Sequence, residues 1–533
     1  MPCPAPSPRR FVRLLAAVAL TAAFAGLTGC AYLGTWAKQG YYRARLRHTP
    51  NAALSKHLLD RPTHFVFGVV RLEATTDRVA VLARSRTSPA GEIADVCHDV
   101  QPGSYYALNL PPGEFELLVV RDRDHDGIFR PVEVIGARTL AAAEGPEGGR
   151  VIGGFDLAAD GAAGTAAGGN WAVPARVAAS RQDSLFYPRG TLRSLDDALF
   201  DREMASLGLY APAAFMERAP LLFYALEEHV GYKVPVIFVH GIEGSARDFA
   251  PIVQRLDRRR YQPWFYHYPS GGSLEQVSRL FYEIFLSGST VPRQETPVVL
   301  VAHSMGGLVA REALNHYHAG PREAQVAALI TVASPLGGHP AARRGVASAP
   351  LVLPAWRGLD PAGKFVRELH RTALPPGVKY TLVYATGDSD PGDAHATDGV
   401  VPVASQLSAP ARAEAGAEFA VAAGHVGVLQ DPTGRILAAI AAVKPIFPED
   451  HLRVLDRGGY EVPADAGLTP IEANIIRTIG RYLDALVAGE LQPFHPDLED
   501  FVTRARAGRA DGNVAASAWL KLNRRLPQRG GED

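Results

Sequence analysis

Pro297-Val298-Val299-Leu300-Val301-Ala302 runs directly into His303-Ser304-Met305-Gly306-Gly307, and the fold is read from that junction. An unbroken apolar run of this length is what a strand buried on both faces requires. From Met305 to His318 the apolar residues switch to helical spacing. A turn this tight between strand and helix forces Ser304 into strained backbone geometry and lifts its hydroxyl clear of the sheet. Its flanking positions must then be small, as Ala302 and Gly306 are. The helix start behind Ser304 adds backbone N–H groups and a dipole that favour negative charge.

Working outward, Val234-Pro235-Val236-Ile237-Phe238-Val239 is a second buried run, ending in His240-Gly241-Ile242. Val326 to Ala333, Tyr380 to Thr386 and Glu418 to Ala422 read as further strands. Ser273-Leu274-Glu275-Gln276 is a capping-box start for a helix reaching about Ser287. Strands and helices in alternation imply a mostly parallel sheet with helices on both faces.

Residues 231–445 resemble the α/β-hydrolase superfamily with a serine-esterase or lipase centre, although the family has Gly where this chain has Ala302. The resemblance implies that Ser304 is a nucleophile and that the N–H groups of Ile242 and Met305 form an oxyanion hole. An acid and then a histidine base should follow Ser304 along the chain. His425, in Gly424-His425-Val426-Gly427, comes just after the last strand, at the carboxyl edge where open α/β sheets bind ligands. It is the expected base. His303 points away from its neighbour and is read as structural, and His395 lies in a polar loop. For the acid, Asp398-Gly399-Val400-Val401-Pro402 resembles the acid loop of bacterial lipases. Asp388 and Asp390 are rivals nearer the strand end. Val400 and Val401 favour Asp398, because apolar neighbours can bury its carboxylate against His425.

Thr331-Val332-Ala333-Ser334-Pro335-Leu336-Gly337-Gly338 resembles the Thr-Pro-x-Gly-Gly phrase of lipases and lecithin–cholesterol acyltransferase-like hydrolases. The segment 339–376, with Leu351, Leu353 and Trp356, is then an insertion. It reads equally as a lid or acyl channel and as a surface helix pair.

The N-terminus is an address. Arg9, Arg10 and Arg13 precede the apolar run Leu14 to Leu27, which is too short to span a bilayer. It ends in Leu27-Thr28-Gly29-Cys30, which resembles a bacterial lipobox. That resemblance implies removal of residues 1–29, lipidation of Cys30 and membrane anchoring in the bacterial cell envelope. Ala31 leans towards the outer membrane. Cys97 is then the one thiol left in the mature chain, read as a buried small hydrophobe.

Residues 30–62 read as a tether and 63–155 as a small all-β, sandwich-like module. Its turn-then-strand phrase Leu110 to Val120 resembles transthyretin-like or carboxypeptidase-regulatory modules. Residues 156–230 read as linker and short helices, with Leu157 to Asn170 rich in Ala and Gly. Residues 446–533 read as a helical C-terminal region. Within the β module, Asp122-Arg123-Asp124-His125-Asp126-Gly127 followed by Glu133 has the spacing of a calcium loop. Asp122, Asp124, Asp126, the Ile128 carbonyl and Glu133 are the candidate ligands for a structural Ca2+. A strand precedes the loop where an EF-hand has a helix. The alternative is an acidic hairpin turn whose carboxylates are neutralised by Arg121, Arg123 and Arg130.

Composition narrows the remaining readings. The chain has 533 residues, 47% hydrophobic and 21% charged, with Lys+Arg and Asp+Glu both 55. It is neither disordered nor disulfide-stapled, and it has no basic field for nucleic acid. Dinucleotide loops, Walker loops and zinc motifs are absent from the sequence. The expected activity is a membrane-anchored serine carboxylic-ester hydrolase on ester or lipid substrates, with no cofactor required for catalysis. An acyltransferase on the same centre and a non-enzymatic envelope scaffold are the alternatives.

Overall fold

The computed structural model describes residues 34–42, 44–45, 64–73, 75–88, 92–98, 100, 105–143, 151–159, 169–175, 184–187, 190–288, 296–390, 392–463 and 466–525. Residues 1–29, read as a signal segment, and Cys30 lie outside the described residues.

Two sheets form the N-terminal β region. One pairs β1 (His64–Arg71) with β4 (Tyr105–Leu110), β8 (Val151–Ile152) and β9 (Leu157–Ala158). The other has the order β3 (Ile93–Cys97), β2 (Val79–Ser85), β5 (Gly113–Arg121), β7 (Val134–Ala142) and is antiparallel throughout. Period-2 alternation divides β2 between two cores. Val79, Val81 and Ala83 face the first sheet, while Ala80 and Leu82 pack with Leu118, Phe129, Trp171 and Val173. Cys97 is buried in the first of these cores. The β region reaches beyond residue 155. β9 extends β1, and β10 (Val173–Pro174) pairs with β6 (Ile128–Phe129), both within the stretch read as linker and short helices. The central part of the Ala/Gly-rich segment, 160–168, lies outside the described residues.

The larger sheet has seven strands in the order β11 (Phe223–Ala225), β13 (Tyr261–Tyr266), β12 (Val234–Val239), β14 (Val298–His303), β15 (Val326–Val332), β16 (Lys379–Ala385), β17 (Ala417–Val421). Edge strand β11 is antiparallel and every other pairing is parallel. All residues of β12 and β14 are buried, as their unbroken apolar runs require.

Crossovers between parallel strands are right-handed, so the direction of travel decides the face each helix covers. The chain steps one way from β12 to β13 through helix Ala250–Arg255. It then steps the opposite way into β14 and β15 through helices Leu274–Phe281 and Met305–Leu314. The last two pack on each other, and Ala250–Arg255 meets Arg435–Ala441 on the other face. The helix from Leu274 continues as a π turn over Tyr282–Leu286, and Ser273 makes no side-chain cap to its backbone, unlike the expected capping box. The reversal of direction opens a crevice at the carboxyl ends of β12 and β14.

The C-terminal region is helical, with Glu449–Leu455, Pro470–Ala488, Pro496–Arg506 and Val514–Arg525 packed around their own core. Arg260 joins it to the large sheet through a two-pronged pair with Asp456, at 2.5 and 2.9 Å.

Candidate active site

The crevice places the end of β12 against the turn that follows β14. Ser304 occupies that turn with φ 54° and ψ −130°, a strained conformation for a residue with a side chain. Its N–H donates to the Val332 carbonyl at 2.8 Å, which pins the turn to β15. Two glycines permit the packing. A Cβ on Gly306 would stand 2.3 Å from the Val239 carbonyl oxygen, and one on Gly241 would stand 2.7 Å from Ser304 Cβ.

His425 follows β17, and its backbone N–H donates to the Asp398 carbonyl at 2.9 Å. Its Nδ1 lies 2.7 Å from Asp398 Oδ2 and its Nε2 lies 2.9 Å from Ser304 Oγ. An ionised carboxylate only accepts, so Nδ1–H donates to Asp398, and Nε2 is left to accept from the Ser304 hydroxyl. Asp398 is buried. Its Oδ1 accepts from the Val400 and Val401 N–H groups at 2.9 and 2.7 Å, and its Oδ2 also accepts from Gln406 Nε2 at 3.2 Å. Burial alone would raise the Asp398 pKa. The hydrogen bond and charge of His425, with the Val401 and Val400 N–H groups, outweigh it and hold the carboxyl below its ordinary value. Asp388, Asp390 and His395 are exposed and take no part, and Asp390 caps the Gly392 N–H instead.

Two neighbours that sequence reasoning left as plain structure, or missed, fix this arrangement. His303 is buried, and its Nε2 donates to the His425 carbonyl at 2.9 Å. Burial, reinforced by the nearby His425, pushes its pKa down to about 3, so it stays a neutral donor. Gln406 was missed. Its amide bonds both the N–H and the C=O of Ala385 as well as Asp398, tying the acid loop to the end of β16. A lone Gln between Val403 and Leu407 carries no pattern that reveals this.

Ile242 and Met305 line one cavity with Ser304. The Met305 N–H is the first of its helix, among the groups that a helix leaves without an internal partner. The loop before Ile242 is held through His240. Its Nδ1 donates to the Gly241 carbonyl at 2.8 Å, its Nε2 accepts from the Tyr268 N–H at 3.2 Å, and its carbonyl accepts from the Tyr268 hydroxyl at 2.8 Å. Burial lowers the His240 pKa to about 4.

The cavity measures about 190 Å3, and its walls are largely apolar. Of the insertion 339–376, His339, Ala341, Ala342, Trp356 and Leu359 line it. Leu353 is buried in the main core and Leu351 packs against that core. His339 Nε2 donates to the Val400 carbonyl at 2.7 Å, which couples the start of the insertion to the acid loop.

The predicted calcium ligands lie apart, in the β region. Asp122, Asp124 and Asp126 are brought together. Glu133, expected as the closing ligand, is not in that group. It sits in the short turn Pro131–Glu133, and its two oxygens accept from the Arg123 and Arg130 N–H groups at 3.0 and 2.9 Å. The carboxylate is thereby committed to bracing the loop backbone. Arg121 pairs with Asp77 and does not reach the loop carboxylates.

Residues 271–347, which include Ser304, match the family described as PGAP1-like alpha/beta domain. No curated protein matches the chain. Among solved structures, the chain is similar to lipase BlEst2 of Bacillus licheniformis in its mature form, with 18% identity over 42% of this chain and 98% of that one and a TM-score of 0.31. It is also similar to phospholipase PlaB from Legionella pneumophila in complex with thio-NAD, with 19% identity over 33% of this chain and 44% of that one and a TM-score of 0.26. A third is the metagenomic carboxyl esterase MGS0156, with 19% identity over 46% of this chain and 85% of that one and a TM-score of 0.27. The sheet order, the antiparallel edge and the strained serine between β14 and its helix make this an α/β-hydrolase fold, with an added β region and a helical C-terminal part.

Proposed function

We propose that the chain is a serine hydrolase of carboxylic esters working through an acyl-enzyme on Ser304. The observation that carries this is the unbroken relay Asp398–His425–Ser304, at 2.7 and 2.9 Å, at the mouth of an apolar cavity. His425 takes the Ser304 proton as Oγ attacks the ester carbonyl. The developing oxyanion is held by the Ile242 and Met305 N–H groups, and the proton passes to the leaving alcohol. Water activated by His425 then releases the acid. Asp398 keeps the imidazole in the productive tautomer and stabilises its charged form.

The cavity favours a short acyl chain. A buried space of about 150 Å3 accommodates benzene, so the 190 Å3 here suits an acyl group somewhat larger than that. Lipidation of Cys30 would anchor the enzyme in the bacterial envelope, with the outer membrane favoured by Ala31. Residues 34–42, just after that cysteine, are helical, and Tyr42 stacks on Tyr210 at 6.0 Å. An anchor so close to a docked helix would keep the catalytic region near the bilayer, where ester-bearing lipids are found.

Fluorophosphonate labelling of the detergent-solubilised protein tests the reading, followed by p-nitrophenyl esters of increasing chain length. The expected result is labelling and turnover in the wild type, best on short chains, and neither in Ser304→Ala. Undiminished turnover in Ser304→Ala would overturn it, since removing a triad nucleophile eliminates many decades of rate.

A further inference from the structure

The loop between β5 and β6 has no part in the ester chemistry, yet it holds a fully buried carboxylate. Asp122 is 0% exposed. Its Oδ2 accepts from the Gly127 N–H at 3.2 Å, while its Oδ1 meets no donor. The nearest cation, Arg78 Nη1, stands 3.8 Å from Oδ2, beyond hydrogen-bond reach. A buried carboxylate oxygen without a partner is costly and calls for a cation or a donor.

Asp124 and Asp126 bring their carboxylates to the same place. One oxygen from each of the three aspartates lies within 4.8 Å of the others. That spacing suits calcium, whose ligand oxygens at 2.3–2.6 Å from the ion stand at most about 4.6–5.2 Å apart. Asp124 and Asp126 are exposed, which leaves an entry path and room for water ligands. The basic groups do not balance the charge. Arg130 reaches Asp126 at 2.6 Å and Asp124 only at 3.9 Å, and donates to the Ile128 carbonyl at 3.3 Å. Arg130 at the rim and Arg78 at 3.8 Å from Asp122 Oδ2 are two guanidinium groups facing three carboxylates, and neither meets Asp122 Oδ1.

We propose that this loop binds a calcium ion through Asp122, Asp124, Asp126 and the Ile128 carbonyl, with water completing the shell and Arg130 as the competing internal cation. Glu133 braces the loop from outside. β10 lies on β6 immediately after the loop, and the Ala175 N–H donates to the Gly127 carbonyl at 2.8 Å. A bound ion would stiffen the chain where it leaves the β region for the hydrolase sheet. The proposal is independent of the ester chemistry.

The test is titration calorimetry of the full-length, detergent-solubilised protein with calcium chloride after chelator dialysis, with thermal melting at about 0.1–1 mM calcium or magnesium, the range of weak extracellular sites. The expected result is one calcium ion bound and a melting temperature raised by calcium well beyond any effect of magnesium. Asp124→Asn retains an acceptor for the Asp126 N–H, so it should melt like the wild type without calcium and bind calcium at least tenfold more weakly. Arg130→Gln should bind more tightly. No heat and no calcium-dependent shift in the wild type, equal stabilisation by magnesium, or undiminished binding by Asp124→Asn would each overturn the assignment. Weaker binding by Arg130→Gln would overturn the role given to Arg130.

Discussion

Gly241→Ala probes the clearance between the loop after β12 and Ser304. The added methyl would stand 2.7 Å from Ser304 Cβ, 3.2 Å from Ser304 Oγ and 3.5 Å from the His303 carbonyl oxygen. Non-bonded carbons rest at about 3.5–4.0 Å, so roughly 1 Å must be found. Ser304 is tied through its N–H to Val332 and through its hydroxyl to His425. The loop before Ile242 is tied through His240 to Tyr268. Either the serine or the loop before Ile242 has to move. Overpacking of this kind costs about 1–3 kcal/mol of stability, and a displacement near 1 Å at reacting atoms costs on the order of 10²-fold in rate. The expected outcome is a lower melting temperature and a kcat/KM on p-nitrophenyl butyrate reduced about 100-fold, carried mostly by kcat. Gly434→Ala is the control. Gly434 has a left-handed φ, 66°, and nothing lies within 4 Å of its added methyl. It should lose about 1–2 kcal/mol of stability from backbone strain and keep its turnover. A Gly241→Ala enzyme within about threefold of wild type, where a 1 Å shift predicts a hundredfold loss, would refute the reasoning.

Asp398→Asn should cripple turnover, by about 10⁴-fold in kcat where the tautomer is lost, while Asp388→Asn and Asp390→Asn stay near wild type. Steady-state kinetics of the three variants decides it, and a crippled Asp390→Asn beside an active Asp398→Asn would move the acid to the earlier loop. Acid should destabilise the fold through His240, His267 and His303, whose pKa values burial lowers in the folded chain. Unfolded histidines take up protons below about pH 6.5 while these stay neutral, so the unfolded state binds more protons and stability falls as pH falls, by up to about 1.4 kcal/mol per pH unit for each. Urea midpoints at pH 7, 6 and 5 measure this, and a flat profile contradicts it. Cys30→Ala should leave the protein unprocessed or released from membranes, and metabolic labelling with a palmitate analogue that still marks the variant would rule out Cys30 as the anchor.

Much of the large sheet was legible because burial on both faces leaves an unmistakable trace. β12 and β14 read as uninterrupted apolar runs and are buried along their whole length. Ser304 was legible because a strained turn admits only small neighbours. Short strands were not. β9 and β10 have two residues each and owe their existence to partners in β1 and β6, so no local period announces them. The capping box at Ser273 was over-read, because Ser273 Oγ bonds Glu275 at 2.6 Å instead of the helix backbone.

The sequence by itself determined the alternation of strands and helices, the serine turn and the order in which acid and histidine follow it. Those features depend on neighbours a few residues apart, whose spacing repeats with the element's own period. The apolar neighbours Val400 and Val401 already favoured Asp398, but only the tertiary structure brings its carboxylate, and not those of Asp388 and Asp390, into a buried hydrogen bond with His425. It also brought Gln406 against Asp398 and His303 against the His425 carbonyl, and set the Glu133 carboxylate on the Arg123 and Arg130 N–H groups. Each of these depends on where segments distant in sequence come to rest. A hydrogen-bond partner or a lost hydration shell belongs to that encounter and leaves no period in the chain.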